Sequence, residues 1–205
     1  MIGLVCAMEN ELALVRASFP NTRVLGTLSG LGKVNAALAT DALIREGAGC
    51  IINIGVAGAL DPSLRLGDTV LCSEISYHDV WCGAPNAPGQ VQGLPQRFHS
   101  DERLVEAASR VLPGARVGLA VSGDQFVTDP SKVEAIRAAF PDALCVDMES
   151  AAIAQTCYLR NVPLLSVKIM SDSGDDQEYA AFWDTIAQRS FDTIQPLLEL
   201  LCDTQ

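Results

Sequence analysis

Four carboxylates stand just beyond apolar runs in this chain. Glu11 follows Ile2–Ala7, Asp147 and Glu149 close the run that starts at Leu144, and Asp172 follows Leu164–Met170. Two carboxyl groups flanking a scissile bond are what glycosidic hydrolysis needs: one protonates the leaving group, the other activates water. The donor must keep its proton near neutrality, and burial supplies that. Each acid alone has a plainer use, as an N-cap or first-turn residue favoured by the helix dipole. Their recurrence is the informative feature. Glycines recur beside them, in Ser29-Gly30-Leu31-Gly32-Lys33, Gly55-Val56-Ala57-Gly58 and Ser122-Gly123-Asp124-Gln125-Phe126. Ligands of open α/β sheets bind beyond the carboxyl ends of the strands, so these segments are expected at one end of one sheet.

Other chemistries drop out on motif grounds. The two histidines, His78 and His99, form no H-E-x-x-H pair, and no cysteine cluster suits zinc, so no metal site is read. No G-x-S-x-G elbow is present. Gly30-Leu31-Gly32-Lys33-Val34-Asn35 fails the dinucleotide fingerprint at Asn35 and the phosphate-loop pattern at Val34. A Gly-rich turn that opens a helix could still hold an anion or a carboxylate, although tight strand-to-helix packing explains it more simply.

The elements that must position these groups follow from periodicity. Strands are predicted at Ile2–Ala7, Val24–Leu28, Cys50–Gly55, Thr69–Tyr77, Ala115–Val121, Leu144–Asp147 and Leu164–Met170. Helices are predicted at Glu9–Ala17, Lys33–Glu46, Asp101–Val111 with Ser100 as N-cap, Ser131–Ala139, Glu149–Leu159 and Tyr179–Leu201. Strands apolar on both faces and alternating with helices imply an α/β fold with a mixed, mostly parallel central sheet, flanked by helices. Length favours one domain over residues 1–205. The Gly- and Pro-rich segment Asp79–Arg97 is long for a loop inside one domain, which points to a functional or interface role.

Composition narrows the partners. With 14 basic against 25 acidic residues the net charge is −11, which argues against nucleic acid or an anionic membrane surface. No apolar run reaches the roughly 18 residues of a membrane span. Seven cysteines, an odd number and mostly in apolar runs, fit a reducing cytoplasm better than a disulfide framework.

Read in order, seven motifs resemble one family. They are Ala7-Met8-Glu9-Asn10-Glu11, Ser29 to Ala37, Asn53 to Gly58, Tyr77-His78-Asp79, Val121 to Phe126, Val146 to Glu149, and Ser171-Asp172. Together they look like the bacterial 5′-methylthioadenosine/S-adenosylhomocysteine nucleosidases of the purine nucleoside phosphorylase superfamily, over nearly the whole chain. The resemblance implies a nucleoside phosphorylase-like fold and hydrolysis of 5′-substituted adenosines without a cofactor. It implies that Glu11 deprotonates the attacking water and that Asp172, after Ser171, protonates purine N7. Met8, Met148 and Glu149 would hold the ribose, with Glu149 on the 2′- and 3′-hydroxyls. Phe126 would stack on adenine, and the Val127 backbone would bond its edge. Gly55 would line the site, and Phe182 would sit in a lid near the 5′ group. The family's homodimer would place the 78–97 loop at or near the interface.

Three departures from the family pattern stand out. Val56 replaces a Ser or Thr, Lys168 replaces an arginine, and the 78–95 loop carries Trp81-Cys82-Gly83. A futalosine hydrolase and a phosphate-dependent purine nucleoside phosphorylase of the same fold are the alternatives, with a non-catalytic nucleoside-binding protein as a third class.

Overall fold

The computed structural model describes residues 1–19, 23–172 and 176–203, with the backbone alone at residues 10, 11, 176–184 and 186. The first half runs β1 (Ile2–Cys6), α1 (Glu9–Ser18), β2 (Val24–Leu28), α2 (Lys33–Arg45), β3 (Cys50–Ala59) and β4 (Thr69–Tyr77). The second half runs β5 (Phe98–His99), α3 (Glu102–Val111), β6 (Arg116–Ser122), α4 (Pro130–Ala139), β7 (Ala143–Asp147), α5 (Ser150–Arg160), β8 (Leu164–Asp172) and α6 (Asp176–Asp203). The expected mixed, mostly parallel sheet with flanking helices is what forms.

Its topology is not a simple open sheet. Strands β2, β1, β3 and β8 run parallel to one another, and so do β4, β6 and β7. The two sets run in opposite directions and meet twice. The start of β4 pairs antiparallel with β8 through Thr69–Cys72, and the end of β3 pairs antiparallel with β7 through Gly58↔Val146 and Ala59↔Cys145. The pairings β3–β8–β4–β6–β7–β3 therefore close a ring. This corrects the expectation of strand ends gathered at one end of an open sheet. The carboxyl ends of the two sets instead face each other, because β3 and β7 overlap only at their final residues.

Strands β1, β3 and β8 of the first set bury both faces, as their apolar runs require, while the edge strand β2 is only half-buried. Leu4, Ile52, Ile54, Leu165 and Val167 pack with Leu12, Val15, Leu104, Ala108, Ile194 and Leu197 of α1, α3 and α6. Val5, Ile51, Ala57 and Met170 pack on the other face with Ala36 and Leu43 of α2 and Ala151–Ala154 of α5. Helix α4 covers β6 and β7 through Val133 and Ile136, joined by its C-cap residue Phe140. Among the described residues no helix is long and apolar enough to cross a membrane.

One helix start differs from expectation. Asp101, not Ser100, caps α3, accepting from the backbone N–H groups of Arg103 and Leu104. Ser100 is one residue too early, and its hydroxyl donates instead to the Cys72 carbonyl at 2.6 Å. A carboxylate that can accept two orphan N–H groups outcompetes a hydroxyl already engaged by a strand. The Asp79–Arg97 segment packs against the sheet. Val91 and Leu94 reach the core, the Ser76 hydroxyl donates to Gln96 O, and Gly89 sits so close to Tyr77 O that a Cβ there would clash with it.

Candidate functional site

A cleft opens where the two strand sets meet. Ala7 and Met8 enter it from the end of β1, Gly55–Gly58 from β3, and Ser171 and Asp172 from β8. Gln125–Val127 enter from beyond β6, Val146–Glu149 from the end of β7 and the turn after it, and Leu31 from the turn before α2. Of the sequence-predicted residues, Met8, Gly55, Phe126, Val127, Met148, Glu149, Ser171 and Asp172 all line this one space. Segments separated by more than 100 residues meet here because β3 reaches both β8 and β7. The side chains of Glu11 and Phe182 lie outside the described ones. The Glu11 backbone lies in the first turn of α1, directly after Met8.

Asp147 and Glu149 look equivalent in sequence and are not. Asp147 is fully committed to structure. It accepts from the Ser150 backbone N–H at 3.0 Å and from the Ser150 hydroxyl at 2.7 Å, so it starts α5. Its other partner is the Lys168 ammonium at 2.7 Å, with both side chains 1% exposed. Burial alone would raise the Asp147 carboxyl, but Lys168 and the Ser150 hydroxyl hold it below the usual carboxylate range. Burial would likewise lower Lys168, and the charges of Asp147 and Glu149 raise it instead.

Glu149 occupies the N-cap position of α5 without capping it. The cap is supplied by Asp147, which leaves the Glu149 carboxyl free to face the cleft. One oxygen accepts from the Gly32 backbone N–H at 2.9 Å. The Gly-rich turn before α2 thus does hold a carboxylate, one belonging to the protein itself. Gly32 has φ +90°, and a Cβ there would sit 2.9 Å from Asp124 Oδ1. Burial, then the negative charge of Asp147, push Glu149 up to about 7, against the opposing pull of Lys168 and the Gly32 N–H.

Asp172 is buried at the last residue of β8. The Ser171 hydroxyl donates to its Oδ2 at 2.9 Å, and its Oδ1 would lie 3.0 Å from a Cβ on Gly58. Gly58 is therefore required by the close approach of the carboxyl, at the point where the β3–β8 register shifts. Phe126 is 51% exposed and lines the cleft, and the neighbouring Val127 is buried. Such a planar platform beside buried carboxyls suits a heteroaromatic ring attached to a polar group.

The chain matches the model of the Phosphorylase superfamily over residues 1–199. It is 38% identical to the 5′-methylthioadenosine/S-adenosylhomocysteine nucleosidase of Tolumonas auensis, covering 88% of this chain and 90% of that protein. This chain belongs to the 5′-methylthioadenosine/S-adenosylhomocysteine nucleosidase family. The Staphylococcus aureus nucleosidase is 37% identical, covering 98% of this chain and all of that one. The solved Neisseria meningitidis nucleosidase, in complex with methylthio-immucillin-A, superposes with a TM-score of 0.90 at 40% identity, covering 96% of this chain and 97% of that one. The S. pneumoniae nucleosidase with a transition-state inhibitor gives 0.92 at 32% identity, covering 98% and 99%.

Within this nucleosidase fold, sequence reasoning missed one group of residues. Lys33, Asp79 and Asp124 join the start of α2 to the ends of β4 and β6. The Lys33 ammonium is 2.7 Å from Asp79 Oδ2, the Lys33 backbone N–H donates to Asp124 Oδ1 at 2.7 Å, and the Asp124 N–H donates to Asp79 Oδ2 at 2.9 Å. The available signal was the presence of each residue inside a Gly-rich or strand-end motif, but nothing in the spacing joined them.

Proposed function

We propose that this chain hydrolyses the N-glycosidic bond of 5′-substituted adenosines, 5′-methylthioadenosine and S-adenosylhomocysteine, releasing adenine and the 5′-thioribose. The observation that carries the reading is one cleft in which buried Glu149 and buried Asp172 open beside the half-exposed ring of Phe126. Asp172 donates a proton to purine N7, with the Ser171 hydroxyl fixing its orientation. The C1′–N9 bond then breaks with its electron pair passing to the purine. The ribose passes through an oxocarbenium-like state, water adds at C1′, and Glu11 takes the water proton. Glu149, as the anion, accepts the ribose hydroxyls and stabilises the developing positive charge more than the neutral ground state. Phe126 and the Val127 backbone hold adenine, and Met8 and Met148 hold the ribose.

Water, not phosphate, is the nucleophile in this reading. Among the described residues lining the cleft the one cation is Lys168, and Asp147 occupies it. Val56 presents a hydrocarbon side chain where a hydroxyl could have bound an anion. The test is adenine release from 5′-methylthioadenosine in phosphate-free buffer. We expect release at full rate, and Asp172→Asn to lower kcat by about 100-fold or more. A strict requirement for phosphate, or a near-normal Asp172→Asn, overturns the reading.

A homodimer is part of the same proposal. Leu31, Val34 and Leu38 at the start of α2 are 61%, 70% and 67% exposed and form an apolar patch beside the cleft mouth, with Trp81 exposed on the 78–97 loop. Patches of this kind mark association surfaces. Val34→Glu with Leu38→Glu should give a monomer by sedimentation. A cytoplasmic location fits seven free cysteines, five of them buried.

A further inference from the structure

We infer that Lys33 is a positioning residue: its ammonium and backbone N–H latch the turn before α2 onto Asp79 and Asp124, holding Gly32 against Glu149 and the Gln125–Val127 loop against the cleft. The geometry is cooperative. Lys33 reaches Asp79 through its side chain and Asp124 through its backbone, and Asp79 in turn accepts from the Asp124 backbone. The residue before Lys33 donates to Glu149, and the residues after Asp124 line the cleft. One three-residue junction therefore ties together the two loops that approach the cleft from opposite strand sets.

The setting makes the junction stronger than a surface pair. Asp79 is 12% exposed and Lys33 25%, and the ammonium also lies 5.5 Å from the centre of the Tyr77 ring. Charge-assisted bonds to a part-buried carboxylate lose less to solvent than exposed pairs do. Gly32 and Gly123 are the enabling residues. A Cβ on Gly32 would press on Asp124 Oδ1, and one on Gly123 would meet His78 and Asp79 within 2.7 Å. Neither loop could close on the other with larger residues there.

Lys33 touches no reacting atom, so its effect is on the fraction of molecules with both loops in place. A ligand that needs that state binds more weakly by the inverse of the fraction, while turnover at saturation is unchanged. Lys33→Met should raise KM about tenfold with kcat within about twofold, Asp79→Asn should do the same, and Lys33→Arg should restore KM to within about threefold. A residue with a merely structural role would lower the melting temperature and leave KM alone.

The kinetic part rests on the nucleosidase reading, so a second readout does not. Amide hydrogen exchange in Lys33→Met and Asp79→Asn should accelerate across residues 30–35 and 123–127, with β1, β3 and β8 unchanged. Unaltered exchange in those two segments overturns the latch, whether or not the wild type releases adenine. Absence of adenine release by the wild type, with exchange accelerated in both variants, overturns the reaction and leaves the latch standing.

Discussion

Glu149→Gln separates what the cleft does for catalysis from what it costs the fold. The wild-type carboxyl is buried, and burial together with Asp147 moves it from 4.5 up to about 7. Between those two values the native chain holds a proton that the unfolded chain has released. Native stability therefore falls as pH rises across that window and levels off above it. At 1.36 kcal/mol for each unit, the contribution lost is about 3 kcal/mol. Gln is nearly isosteric and its oxygen can still accept from Gly32, but it does not titrate. Urea or thermal unfolding of both proteins at pH 5 and pH 8 checks this. The stability difference between the variant and the wild type should shift by about 3 kcal/mol in favour of the variant at the higher pH. In melting temperature that is about 6–12 °C for a chain of this size. Adenine release should meanwhile fall about 100-fold or more, because in the proposed binding mode two ribose hydroxyls lose a charged acceptor. Parallel pH–stability curves for the two proteins would refute the assignment of the cost to Glu149.

Further consequences can be checked directly. If the free protein must ionise Glu149 to receive ribose, kcat/KM should rise with pH up to about 7, and a profile flat from pH 5 to 8 would exclude that requirement. Lys168→Met should destabilise the fold by about 3–5 kcal/mol in urea unfolding, since it strands the buried Asp147 carboxylate. Gly58→Ala should lower kcat about tenfold, with little change in KM, because the new methyl group meets Asp172 Oδ1 at 3.0 Å and Val146 beside it.

The strands and helices were readable because their apolar periods are clear. Val24–Leu28 and Thr69–Tyr77 begin and end where the pattern predicts. Strand β3 runs four residues past its predicted end at Gly55. Gly-Val-Ala-Gly reads locally as a turn, yet its second glycine is kept extended by pairing with Val146 and by the approach of Asp172. The split between Asp147 and Glu149 was also hidden. Both are acids at a helix start, and only the position of Lys168 beneath them decides which one is consumed. The joining of Lys33 to Asp79 and Asp124 depends on closure of the strand ring, which no local spacing encodes.

The narrow seam between β3 and β7 has a consequence for durability. Strand β3 lies along β8 from Ile51 to Gly58, but it pairs with β7 only through Gly58 and Ala59, with the Leu60 and Asp61 N–H groups donating to Leu144 O just beyond. The cleft straddles that weak grip, with Asp172 carried on one side and Glu149 on the other. Under mild urea or gentle warming, this seam is expected to open first, while the β4–β8 pairing holds the two halves together and each keeps its own strands and helices. Turnover should then fade before circular dichroism registers any loss, so function would wear out earlier than form.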